Sequence, residues 1–147
     1  MDELSKIVTL WDRRNDVQTS ATLFVKRLEL NMISLSMLGA HQLSAVGTDV
    51  FEALKKIRAE LEAHDTFILC NASRKDVRPS AMARQMGHAQ KLYEVKIGQQ
   101  AALSDLVNIW APIQPQEVAT VLEQELYLEE WVNALIALEP VPTSEEQ

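Results

Sequence analysis

Between Asn71 and Ser80 the chain reads NASRKDVRPS, which places Arg74, Lys75 and Arg78 just ahead of Pro79 and Ser80, with Arg84 four residues on. Guanidinium groups, a hydroxyl and the free N–H groups of a helix start are what a phosphate or carboxylate needs. An anion- or nucleotide-binding regulatory site on Arg74, Lys75, Arg78, Ser80 and Arg84 is therefore one expectation. No glycine-rich phosphate fingerprint accompanies these residues. The plainer alternative is a solvated basic loop, paired with Asp76 and the acidic end of the chain. Nucleophilic chemistry has less to work with. Cys70 lies in an apolar run with no histidine placed as its base, so a buried inert thiol is expected. His41, His64 and His88 are dispersed, and none stands four residues from another histidine or a cysteine, so no metal centre is expected. No cofactor fingerprint is present, and the chain does not read as an enzyme.

Carboxylates supply the other chemistry. From Ile97 to Gln147 there is no lysine or arginine, whereas nine acidic residues, including Asp105, Glu123, Glu125, Glu129 and Glu130, give a formal charge of −9. The first 96 residues carry fourteen basic against twelve acidic residues, within a total of −7. Glu125 and Glu129 stand at i, i+4, where like charges mildly oppose an isolated helix. A catalytic pair would need one carboxylate in an apolar pocket. Two readings stay open for Glu123, Glu125, Glu129 and Glu130: a wet helix face, or a docking surface for a basic protein with Asp105 beside it. Such a field repels nucleic acid and attracts cationic partners. Trp131, flanked by Glu129 and Glu130, is the tryptophan best placed to anchor an interface. The simpler role for it, as for Trp11 and Trp110, is in the core.

The elements that must carry these groups belong to one domain, expected over residues 1–139, with 140–147 as a flexible acidic tail. At 147 residues and 47% apolar content, the chain is long enough for a packed core. A single cysteine fits a reducing compartment, the N-terminus lacks a secretory pattern, and the least charged stretch (Leu30 to Thr48) is too polar to span a membrane. A cytoplasmic protein is expected, with no membrane and no nucleic acid as partner.

Apolar and β-branched runs predict strands at Lys6 to Trp11 and Thr22 to Leu30, with Met32 to Leu38 as an extension or a hairpin partner. Asp49 with Glu52 three residues later marks a helix start, and Val50, Leu54, Ile57 and Leu61 recur at helical spacing. Thr66 to Cys70 reads as a buried strand, and Pro79 or Ser80 to Gly87 as a short helix. Lys91 to Ile97 reads as a strand with Tyr93, Val95 and Ile97 inward, and Ala102 to Trp110 as a short helix. Gln116 to Leu138 reads as a long amphipathic helix with Val118, Val121, Leu122, Leu128, Trp131, Val132, Leu135 and Ile136 on its apolar stripe. Strands alternating with helices predict an α/β sandwich, a central mixed or mostly parallel sheet flanked by helices. In that topology, Ser80 at a helix start resembles the phospho-switch position of anti-sigma-antagonist (STAS) domains, although RPSAM replaces their Asp-Ser-Ser-Gly type sequence.

The segment Leu69 to Ala101 (LCNASRKDVRPSAMARQMGHAQKLYEVKIGQQA), continued through LVNIWAP to Trp131, resembles the immunity proteins of bacterial contact-dependent growth inhibition and other polymorphic toxin systems. The shared pattern is a strand ending in Cys-Asn, a basic loop, Pro-Ser, an arginine-bearing helix and a strand ending in Ile-Gly-Gln. It spans roughly half of the chain. The resemblance implies a non-enzymatic cytoplasmic protein that binds a basic cognate toxin domain and neutralises it, without a cofactor. Immunity proteins share no single fold, so the resemblance implies nothing about architecture.

Overall fold

The computed structural model describes residues 3–79 and 90–138. Four strands come first: β1 (Glu3–Asp12), β2 (Val17–Glu29), β3 (Met32–Leu38) and β4 (Leu43–Gly47). Each follows the last through a short turn, and a turn of two to four residues can only return the chain antiparallel. At the first turn Asp12 accepts from the backbone and side chain of Asn15, and Asp16 takes a left-handed φ of 51°. The second turn, at Leu30 and Asn31, makes Met32–Leu38 a hairpin partner of β2, not its extension. Helix α1 (Val50–Glu62) then returns the chain to β5 (Thr66–Ile68) beside β1, giving the strand order β4-β3-β2-β1-β5.

Asp49 accepts a hydrogen bond from the Glu52 N–H at 2.8 Å, and the Glu52 carboxylate accepts from Thr48 in return. That reciprocal cap is the one predicted from the sequence. Val8 and Leu10 of β1, Leu23 and Val25 of β2, and Ile33, Leu35 and Met37 of β3 alternate onto one face of the sheet. There they pack against Leu54, Ile57 and Leu61 of α1. A Cβ on Gly47 would lie 2.5 Å from the Ala53 nitrogen, so glycine is what lets the end of β4 meet α1.

A second sheet holds β6 (Val77–Pro79), β7 (Lys91–Glu94) and β8 (Leu106–Asn108), all antiparallel. A single-turn 3-10 helix at Pro115–Glu117 leads to helix α2 (Val121–Leu138). The expected α/β sandwich with a mixed or mostly parallel sheet is therefore corrected: every strand pair in both sheets is antiparallel, and the five-stranded sheet is a curled half-barrel. Parallel pairing needs a crossover between successive strands. Here four strands run in succession before the first helix, and Leu43–Gly47 had not been expected as a strand. The topological likeness to STAS domains goes with that correction.

Two local expectations also change. Leu106–Asn108 is a strand preceded by a 3-10 turn at Leu103–Asp105, where a helix to Trp110 was expected. Strand β7 ends at Glu94, short of the expected Ile97; Val95 is buried as expected and so is Leu92, whereas Tyr93 is only partly covered and Ile97 is exposed. The helix expected from Pro79 or Ser80 to Gly87, and the tail from Pro140, lie outside the described residues apart from Pro79, the last residue of β6.

Candidate partner-binding face

Helix α2 carries the acidic cluster, and its seating decides what that cluster can do. Thr120 caps it: the Thr120 hydroxyl accepts from the Glu123 N–H at 3.0 Å, and Glu123 accepts from the Thr120 N–H at 2.8 Å. Glu62 of α1 accepts from the next free N–H, that of Val121, with both oxygens. Carboxylates at this end also complement the helix dipole.

The inner face is held by polar anchors. Gln124 is fully buried; its amide donates to the Ala72 and Arg74 carbonyls at 2.9 and 2.7 Å and accepts from Arg58 at 2.9 Å. Arg58, also buried, donates to the Ala119 carbonyl as well. Burial lowers the Arg58 pKa, and the charge of Glu62 acts against that shift. One turn further, Tyr127 donates to the Val95 carbonyl and lies under the Lys75 ammonium, 5.2 Å from the ring centre. Trp131 is buried; it donates to the Gln99 carbonyl at 2.8 Å, and the Arg78 guanidinium lies 5.0 Å over its ring. Trp131 therefore belongs to the seat of the helix, as the simpler expectation had it, and is not available as an exposed interface anchor.

Glu123, Glu125, Glu129 and Glu130 are all exposed; Glu125 and Glu129 lie opposite the buried face, while Glu123 and Glu130 flank it, Glu123 on the edge of the basic loop. Glu125 approaches Lys55 of α1 at 3.8 Å with both side chains partly open to water, a contact worth little. Among the described residues neither Glu129 nor Glu130 forms an ion pair. Asp105 sits on another element, the turn before β8, and is only half exposed. The structure thus brings four of the five expected acidic residues onto one helix and leaves Asp105 apart.

Among the described residues, neither Arg74 nor Lys75 of the basic loop forms an ion pair with the acidic residues of α2. Arg74 makes a two-pronged contact with Asp76, at 3.0 and 2.8 Å, and a further one with Glu94. Burial acts to lower the Arg74 pKa, but the bonds to Asp76 and Glu94 outweigh it and the net shift is upward. Lys75 and Arg78 face aromatic rings of α2. A cleft of about 370 Å³ does open here, but Asp76, Glu117 and Glu123 line it together with Arg74 and Lys75. Three carboxylates against two cations make it a poor seat for an anion. The loop also follows an antiparallel edge strand, so the crevice that parallel sheets offer at their carboxyl ends is missing. Ser80 and Arg84 lie outside the described residues.

Other chemistry is sparse. Cys70 is buried, and burial pushes its thiol up to about 11. The His41 and His64 rings stand 5.5 Å apart, yet no group of three or more metal-ligating side chains forms among the described residues. His88 lies outside them. No described helix is long and apolar enough to cross a membrane. Sequence reasoning missed Arg58 and Gln124; a glutamine amid glutamates, at the phase of Trp131, was the available signal.

No protein-family model and no curated protein matches this chain.

Proposed function

We propose that this chain is an immunity protein that binds a basic toxin domain and neutralises it, docking through the acidic outer side of α2. One observation carries the reading. Glu123, Glu125, Glu129 and Glu130 are exposed on a single helix, no lysine or arginine follows Lys96, and of the nearby loop cations Arg74 pairs with Asp76 and Glu94 while Lys75 and Arg78 lie over the inner-side rings of Tyr127 and Trp131. The resemblance to immunity proteins of polymorphic toxin systems points the same way. Mechanistically, the acidic helix steers a cationic surface into register. Encounter is then fast and salt-sensitive, on the order of 10⁸ M⁻¹s⁻¹ at low ionic strength. Short-range packing sets the lifetime of the complex.

The test is co-expression with a candidate basic toxin domain, sought first in the gene that neighbours this one. Growth rescue and a 1:1 complex on a sizing column are expected. The paired change Glu129→Lys and Glu130→Lys should slow association at least roughly tenfold at low salt and leave the melting temperature within about 2 °C, since both sites are exposed. Absence of a complex at both low and high salt would overturn the reading.

A further inference from the structure

We propose that the outer side of α2 is one half of a coiled-coil seam, and that its occupant is a basic amphipathic helix of the partner protein. This rests on the function proposed above and specifies the element the partner contributes. Leu122, Leu126, Glu129, Asn133 and Ile136 follow one another at alternating steps of four and three residues, the a/d spacing of a heptad. All five are exposed, and the apolar members heavily so: Leu122 at 63%, Leu126 at 55% and Ile136 at 59%. The sequence pattern had assigned Leu122 and Ile136 to the buried stripe. They face away from it because Gln124, Trp131 and Tyr127 take the inner side. A helix apolar on both sides is normally covered on both. Here one covering is provided by the fold, and among the described residues nothing covers the other.

Charge selects the occupant. Glu123, Glu125 and Glu130 flank the seam at the e and g positions, where side chains decide which helices pair. A second copy of this chain would set glutamates against glutamates and bring Glu129 into the seam against its own kind. A helix with leucines at a and d and lysines or arginines at e and g meets none of that repulsion. Asn133 at an a position fixes the register, as a lone polar residue does in such seams. The helix of 18 residues is about 27 Å long, room for some two and a half heptads.

The experiment uses the full chain and two synthetic peptides of about 21 residues, both with leucine at a and d. One carries lysine at every e and g position, the other glutamate. In a fluorescence anisotropy titration the lysine peptide should bind and its glutamate twin should not. Raising salt from about 50 to 500 mM should weaken binding without abolishing it. The double variant Leu126→Gln, Ile136→Gln should bind the lysine peptide at least roughly tenfold more weakly, with its melting temperature unchanged. Equal binding by the double variant would reduce the contact to charge adsorption and overturn the seam. So would binding of both peptides alike, binding of neither, or a dimer of this chain that the double variant disperses. The two proposals separate cleanly. A toxin complex formed with undiminished affinity by the double variant sinks the seam and spares the function. Peptide binding as expected, with no toxin complex, sinks the function and spares the seam.

Discussion

Gln124 shows how little of a residue's role its type reveals. It stands among glutamates, and only its burial beneath the loop at residues 72–74 explains why an amide is needed there. It must donate twice to carbonyls and accept once from Arg58, and no carboxylate can do both. Gln124→Glu should accordingly lower unfolding stability by about 2 kcal/mol despite the ion pair it creates with Arg58, as read by urea denaturation. A gain in stability would show that the ion pair outweighs the two lost donors. Glu62, which accepts from the Val121 N–H at the start of the same helix, carries a pH dependence. Burial holds its carboxyl above the ordinary 4.5, against the Val121 N–H and the Arg58 charge. The unfolded chain ionises it at the ordinary value and the folded chain only at higher pH. Its contribution to stability is therefore full below pH 4.5 and is lost as pH rises through the folded value. Measured against wild type, Glu62→Gln should gain in relative stability from pH 4.5 to about pH 7; the opposite trend would mean that the Arg58 field dominates. Cys70 was legible, since a lone cysteine in an apolar run reads as inert, and its buried thiol fits that expectation.

At the level of elements, local signals succeeded wherever the helix or strand was self-contained. The Asp49–Glu52 cap and the Val50, Leu54, Ile57, Leu61 stripe gave α1 within a residue or two, because capping and periodicity act within one turn. The stretch from Leu103 to Trp110 misled, since Leu103, Leu106, Val107 and Trp110 fit a helical stripe as well as they fit a turn and a short strand. Pairing of Leu106–Asn108 with β7 overrides that local pattern, and no local signal announces a partner strand. Gly47 is an element-scale residue of the same kind. Gly47→Ala should cost about 1–3 kcal/mol in thermal or chemical unfolding, because its Cβ would press on the α1 backbone at Ala53. An unchanged midpoint would show that β4 can shift away from the helix. The apolar stripe of α2 was read correctly as apolar and wrongly as a single face, since Leu122, Val132 and Ile136 point outward.

For the whole molecule, the separation of charge is the feature with the longest reach. A field of −9 spread over the last third extends about one Debye length, ~8 Å at physiological salt, and biases every encounter the protein makes. The sequence by itself determined that imbalance, the inert cysteine, the α1 cap and the inward alternation of β2, because composition, capping and a period of two are properties of neighbouring residues. Only the tertiary structure decided that the strands pair antiparallel in two sheets, and that Arg74 turns to Asp76 and Glu94. Only it decided that Gln124 and Trp131 face inward while Leu122, Leu126 and Ile136 face water. Those outcomes depend on which distant segments come to lie together. The pairing of β5 with β1 and the seating of α2 are settled by the burial and hydrogen bonding of groups far apart in the chain, as Arg58 and Gln124 are at 66 residues, and no short window along the chain contains both partners.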